Sequence, residues 1–138
     1  MAVYFSSSPS SGFRVVCANA FCPSILPCDP AGPSVQVFEA PIDLMSYCTL
    51  HREVCSSAIA LCGLHHGALD TYLREYPHLK NIILCLDNDP PGREAAAKFT
   101  ELYSQKGYHV TIRAPPRGKD WNEFLQERRD QLQKSISK

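Results

Sequence analysis

From residue 34 onward the chain alternates between two hydrophobic rhythms. Val35-Gln36-Val37-Phe38 is a short β-rich run that ends at Glu39. Pro41 then suits the first turn of a helix and Asp43 suits its positive end, and the pattern carries that helix from Ile42 to about Arg52. Ala58-Ile59-Ala60-Leu61 reads as a second strand, closed by Gly63. Ala68, Leu69, Tyr72, Leu73 and Tyr76 fall at helical spacing, and Pro77 ends the helix they define. Asn81 to Leu86 is a third strand, apolar on both faces as buried parallel strands are. A loop, Asp87-Asn88-Asp89-Pro90-Pro91-Gly92, leads to a third helix marked by Ala95, Ala96, Phe99, Leu102 and Tyr103 and stopped at Gly107. Tyr108 to Arg113 gives a fourth strand. Asp120 then caps a last helix, with Glu123 three residues on in a near capping box and Trp121, Phe124, Leu125 and Leu132 as its apolar face.

Strands that alternate with helices in this way imply an α/β fold, about four mostly parallel strands flanked by helices on both faces. In such sheets ligands bind in the crevice beyond the carboxyl ends of the strands. Residues 1–33 differ from the rest: they are rich in Ser, Pro and Cys, with Arg14 and Asp29 as their only charges. Phe13–Cys17 suits a short strand; otherwise this stretch is expected to be a poorly ordered lead-in or a truncated remnant, with one domain over residues 34–138.

Composition narrows the possibilities. A chain of 138 residues that is 44% apolar can bury a core without disulfides or a structural metal. Fourteen basic and 14 acidic side chains cancel, so attraction to nucleic acid must come from a local patch. Apolar runs such as Ile82–Leu86 are strand-sized and end at charges, so no membrane contact is expected. The N-terminus lacks a basic segment followed by an apolar one, and the expected location is the cytoplasm. The seven cysteines are odd in number and lack paired C-x-x-C spacing, which argues against a disulfide framework. Cys62 and Cys85 read as small core residues. The spacing of Cys17, Cys22 and Cys28 is wrong for a zinc ribbon.

Three acids lie where the crevice is expected. Glu39 ends the first strand, and Asp87 and Asp89 end the third. Residues two apart on an extended segment point to one side, so Asp87 and Asp89 can aim two carboxylates at one spot. Hard oxygen donors gathered there suit Mg²⁺, which keeps several waters and binds substrate phosphates. Glu39, beside the metal rather than on it, would have a raised pKa and exchange protons near neutrality. Turn chemistry explains the same letters, because Asp, Asn, Pro and Gly are the common turn residues.

Taken together the motifs are more specific. Glu39-Ala40-Pro41-Ile42-Asp43 looks like the primase motif in which Glu-Gly opens a run ending in Asp. Gly63 matches a glycine after the second strand. Asp87-Asn88-Asp89-Pro90-Pro91-Gly92-Arg93-Glu94-Ala95-Ala96 resembles D-x-D-x-x-G-x-x-A-A, and Pro116-Arg117-Gly118-Lys119-Asp120 is similar to P-x-G-x-D. In order and spacing, over about residues 34–127, the chain resembles the Toprim family, the catalytic domain shared by bacterial primases, topoisomerases and some nucleases. Within it the wording from Val37 to Asp43 and from Gly118 to Asn122 is similar to Toprim-like, primase-related domains of bacterial plasmid and conjugative-element proteins.

The resemblance implies a compact, Rossmann-like Toprim fold and a set of roles. Glu39 is the expected general acid/base, Asp87 and Asp89 the expected catalytic Mg²⁺ ligands (Mn²⁺ substituting), and Glu39 and Asp120 are the further acids of the same metal centre. Gly92 lets the loop turn tightly and opens a helix whose N-terminus favours phosphate. Arg93, Arg117 and Lys119 beside the site suit either phosphate contacts or solvated surface, whereas Lys98 suits solvent. The implied function is Mg²⁺-dependent nucleotidyl or phosphoryl transfer on nucleic acid, with primer synthesis ahead of cleavage. Implied partners are single-stranded DNA and nucleotides, together with a helicase, relaxase or other replication protein. A non-catalytic nucleic-acid- or partner-binding module is the alternative. A receiver-like signalling domain also gathers aspartates on a parallel sheet, but its acidic pair comes early, and here the pair is late. Two letters depart from the family pattern: Ala40 replaces the usual Gly, and Asn122 stands where many primases have a second Asp. Residues 1–33 are too short for the zinc module that usually lies upstream in primases.

His65-His66 suits a polar pair at a helix start better than a phosphate contact. Tyr72, Tyr76 and Tyr103 fall on apolar helix faces and are expected in the core rather than as nucleophiles.

Overall fold

The computed structural model describes residues 32–51 and 57–137 in full, and before them the backbone of three strands, β1 (Val3–Ser7), β2 (Phe13–Cys17) and β3 (Ala20–Pro23). The remaining elements are β4 (Ser34–Phe38), α1 (Pro41–His51), β5 (Ser57–Ala60), α2 (Gly67–Glu75), β6 (Asn81–Leu84), α3 (Pro90–Gln105), β7 (His109–Ile112) and α4 (Trp121–Ile136). They build one sheet in the order β3-β2-β1-β5-β4-β6-β7. Four strands, β5-β4-β6-β7, run parallel, as the alternating pattern predicts. The sequence suggests only Phe13–Cys17 within the first 33 residues; β1 and β3 join it in an antiparallel meander that pairs with β5 through β1.

Side-chain alternation divides the core into two layers. Along β4, Val35 and Val37 face one side and Phe38 the other; along β5 and just past it, Ile59 and Leu61 oppose Ala58 and Ala60. The first layer takes α2 through Leu69, Tyr72 and Leu73, and α3 through Ala95, Ala96, Phe99 and Tyr103. The second takes α1 through Leu44 and Tyr47, and α4 through Trp121. Thus the helix that follows β4 covers one face and the helix that follows β6 covers the other. Their connections part in opposite directions at the carboxyl ends of two adjacent strands, which opens a crevice there.

Several sequence expectations shift on inspection. The run Asp87–Gly92 is not all loop: Pro90 and Pro91 are the first residues of α3, because a proline's fixed φ and missing N–H cost nothing in a helix's first turn. Cys85 is buried as expected, but Cys62 is exposed, since β5 ends at Ala60 and Cys62 turns with φ 55°. Leu132 is exposed instead of packed, because α4 runs past the edge of the core after its first turns. Tyr72 and Tyr103 are core residues and Tyr76 packs against them. The side chains of Cys17, Cys22 and Cys28 lie outside the described residues, as does Arg52. Among the described residues no helix is long and apolar enough to cross a membrane.

Candidate functional site

The backbone carries strand pairing right up to the crevice. Leu61 N–H donates to Phe38 O (2.9 Å) and Gly63 N–H to Glu39 O (3.2 Å), so the end of β4 is held from the β5 side. On the other side Cys85 N–H donates to Val37 O at 2.7 Å. Glu39 therefore emerges from β4 on a fixed stem, and Asp87, three residues beyond β6, emerges beside it. Their carboxyl groups lie close enough for each to act on the other's ionisation. Glu39 Oε2 and Asp87 Oδ1 are nonetheless buried with no hydrogen-bond partner. Such groups are rare in native interiors and call for an explanation.

Electrostatics follows from that crowding. Burial, then the charges of Glu39, Asp43, Asp120 and Asp89, push the Asp87 pKa up to about 7. Burial and Asp89 raise Glu39 above the ordinary carboxylate range, opposed in part by Asp87 and Lys119. Sequence reasoning put proton exchange on Glu39; the larger shift falls on Asp87.

Asp89 has a second task. It is the N-cap of α3, and its Oδ1 accepts from Gly92 N–H at 2.8 Å, leaving Oδ2 to face Lys119 Nζ at 3.7 Å. Gly92 permits this tight start: a Cβ there would sit 2.2 Å from the Asp87 carbonyl oxygen. Asp120 caps α4 in the same way, accepting from Glu123 N–H at 2.8 Å. The loop between β7 and α4 is tied back to the site where Asn88 N–H donates to Lys119 O at 2.6 Å. Trp121 anchors the start of α4 by burying its ring and donating from Nε1 to Cys85 O at 3.2 Å. Arg93 is exposed, and its guanidinium donates to Asn88 O and Oδ1 at 3.0 and 3.1 Å. Arg117 and Lys119 are exposed.

One residue outside the predicted set belongs here. Asp43, on the first turn of α1, is 3% exposed and accepts at Oδ1 from Asn122 N–H at 3.3 Å. Burial, then the charges of Asp120 and Glu39, raise its pKa to about 6. The Asn122 side chain faces Ser46 Oγ at 3.3 Å instead of the acids. The signal for Asp43 in the sequence is its place four residues after Glu39 on a helix start; its burial depends on a helix 79 positions away and is invisible locally.

Among the described residues no group of three or more His, Cys, Asp or Glu side chains forms a ready-made metal cage. What the site offers is two unpartnered buried oxygens, on Glu39 and Asp87, within an acidic surround. Asp87 Oδ1 with Oδ2 of Asp89 fits Mg²⁺, which binds through one or two carboxylates and retains water or phosphate oxygens for its remaining positions, and Glu39 Oε2 lies beside them. The donor set does not resemble a closed structural zinc centre.

Comparison with known proteins agrees with this architecture. The Toprim-like family profile matches residues 36–125. An uncharacterized protein of Mycoplasma pneumoniae, an MG010 homolog, is 31% identical over 70 residues, which are 50% of this chain and 33% of that protein. Among solved structures, the primase fragment of the bacteriophage T7 primase-helicase protein superposes with a TM-score of 0.51 at 20% identity, over 86% of this chain and 53% of the fragment. The primase domain of T7, from an assembly with the lagging-strand DNA polymerase, an RNA/DNA hybrid and dTTP, gives 0.53 at 17% identity, over 94% and 72%. The chain thus spans about a third of the curated relative and about half of the primase fragment. At these identities the structural likeness speaks for the fold.

Proposed function

This chain belongs to the Toprim-like family, and on that premise we propose that it performs metal-dependent nucleotidyl or phosphoryl transfer on nucleic acid, with primer synthesis as its setting. The observation that carries the reading is the pair of unpartnered buried oxygens, Glu39 Oε2 and Asp87 Oδ1, at the carboxyl ends of adjacent parallel strands. A bound divalent ion supplies Lewis-acid stabilisation of a phosphoryl oxygen. Asp87, with Oδ2 of Asp89, would hold that ion, and Asp120 would add negative charge to its surround. Glu39 accepts the proton of the attacking hydroxyl through its unpartnered oxygen and returns it to the leaving group. Gly92 brings the amino end of α3 against Asp87, where backbone N–H groups favour phosphate. Arg93, Arg117 and Lys119, exposed along the rim, contact the phosphate backbone.

The substrates in this reading are single-stranded DNA and nucleotides, and the partners are a helicase, a relaxase or another replication protein of a plasmid or conjugative element. The T7 primase domains that share the fold occur in an assembly with a lagging-strand DNA polymerase, an RNA/DNA hybrid and dTTP, a setting that favours primer synthesis over cleavage. The catalytic unit spans residues 34–138, where the parallel strands begin.

A non-catalytic binding module is the second reading. It is favoured by Asp89 and Asp120, each of which spends one carboxylate oxygen on a helix cap. Extension or nicking of single-stranded DNA with Mg²⁺ or Mn²⁺, wild type against Glu39→Gln, separates the two. We expect the variant to fold and to lose activity; full activity in Glu39→Gln removes the proton-transfer role, and equal activity in EDTA removes the metal.

A further inference from the structure

The loop before α4 contains a rim cation, Lys119, that also faces the acids. Both peptide groups of Lys119 are pinned: its carbonyl accepts from Asn88 N–H at 2.6 Å, and its N–H donates to the Glu123 carboxylate. Gly118, with φ +75°, makes the turn that allows this. By contrast the side chain is 59% exposed and tied down at one point, with Nζ 3.7 Å from Asp89 Oδ2. Its charge acts on the whole cluster: Asp89, Asp87 and Asp120 all attract it, and it in turn favours the ionised forms of Glu39 and Asp43. A fixed base with a movable, charged arm is thus aimed at the acids.

The chemistry of Asp89 makes the arrangement competitive. Its Oδ1 is committed to the α3 cap, so Oδ2 is the oxygen it has left for a cation, and Lys119 faces that oxygen. An ammonium and a divalent ion cannot share it without strong mutual repulsion at short range.

We propose that Lys119 is a tethered counter-ion for the acidic cluster, which a divalent ion displaces from Asp89 Oδ2 and turns outward to meet phosphate. The proposal rests on the reading of Asp87 and Asp89 as the metal-holding acids. Without metal the ammonium relieves the crowding of carboxylates. With metal in place the same arm becomes available to the nucleic acid, so one residue links occupancy of the centre to substrate contact.

The test is binding of Mn²⁺ alone, by calorimetry at pH 8, to the whole chain and to Lys119→Met, Lys119→Arg, Lys134→Met and Asp87→Asn. Lys134 lies 14 positions along α4 from Asp120, roughly 20 Å away, and carries the same charge. Lys119→Met is expected to bind Mn²⁺ more tightly, by about threefold, the scale of a partly exposed ion pair. Lys119→Arg and Lys134→Met should bind as the wild type does, and Asp87→Asn much more weakly. Equal or weaker binding by Lys119→Met, or an equal gain in Lys134→Met, overturns the counter-ion role while the metal reading stands. Undiminished binding by Asp87→Asn overturns the metal reading and this inference with it. Circular dichroism of Lys119→Met, a substitution at an exposed side chain, confirms that the comparison is between folded proteins.

Discussion

Two carboxylates of this domain, Asp70 on α2 and Asp87 after β6, have opposite surroundings. Asp70 accepts from three donors: His66 Nδ1 at 2.7 Å, the Tyr103 hydroxyl at 2.9 Å and Lys106 Nζ at 3.1 Å. Burial raises its pKa, but those donors outweigh it, and the net shift is downward. Asp87 is more buried, is surrounded by other acids and leaves one oxygen without a partner, and its pKa rises to about 7. The first is an arrangement that stabilises a fold, tying α2 to α3 on one face of the sheet. The second costs stability, and a protein retains such a cost where charge is wanted for chemistry. The contrast separates an acid placed for the fold from the one to which the proposed function assigns the metal, without appeal to motif.

The largest effect that tests the contrast is on activity. Asp87→Asn is expected to lower metal-dependent turnover by about 100-fold or more, the scale of losing a group that acts only at the reacting centre. Asp70→Asn should keep turnover near the wild-type value at a temperature where it is folded. If both variants lose activity alike in a steady-state assay, the distinction fails.

Stability should reverse the ranking. Asp70→Asn weakens an ion pair and leaves His66, Tyr103 and Lys106 poorly matched, for a loss of about 1–3 kcal/mol in urea titration. In EDTA at pH 8, Asp87→Asn relieves repulsion and should gain on the order of 1–3 kcal/mol. Gly92→Ala belongs with the losses, because its Cβ meets backbone at 2.2 Å and the start of α3 must move, at about 2–3 kcal/mol. Such a variant should also lose metal affinity, since the Asp87 carbonyl moves with it.

The pH profile carries the same contrast with its signs opposed. A raised folded-state pKa means that the folded protein holds its proton longer than the unfolded chain does. The contribution of Asp87, and of Asp43 at about 6, is therefore most favourable below the ordinary carboxylate pKa. It is lost as pH rises from about 4 towards 7. Asp70, with its pKa lowered, contributes above the ordinary value and loses that contribution as pH falls through the acid range. Metal-free Asp87→Asn should thus flatten the decline between pH 4 and 7, and Asp70→Asn should flatten the acid limb. Thermal melts across pH check both; an unchanged slope in either variant contradicts the assigned shift.

Much of this was legible in the sequence, for reasons that are local. The four parallel strands announce themselves as short apolar runs, the helices as periodic faces, and the rule for α/β sheets puts Glu39 and Asp87 at one crevice. What escaped depends on contacts far apart in the chain or on one turn of backbone. Asp43 looks like a first-turn acid and is buried only because α4 lies across it. Asp89 reads as a twin of Asp87 in an extended D-x-D, yet Pro90 begins a helix and turns Asp89 into its cap. Cys62 continues an apolar run in sequence, whereas the chain has already left the sheet.

The smallest effect separates cap from cluster at Asp120. Its carboxylate caps α4 through Glu123 N–H and also adds negative charge near Asp87 and Asp43. Asparagine caps as well as aspartate but carries no charge. Asp120→Asn should therefore leave stability within about 0.5 kcal/mol, whereas Asp120→Ala loses the cap and about 1 kcal/mol. If Asp120 also belongs to the acidic centre, Asp120→Asn lowers the pKa of Asp87, because one of the charges that raises it is gone. Carboxyl ¹³C titration of Asp87 reads that shift directly. A downward shift with stability intact assigns Asp120 to the centre as well as to the helix; an unmoved Asp87 leaves it a cap alone, on the structural side of the line that Asp70 defines.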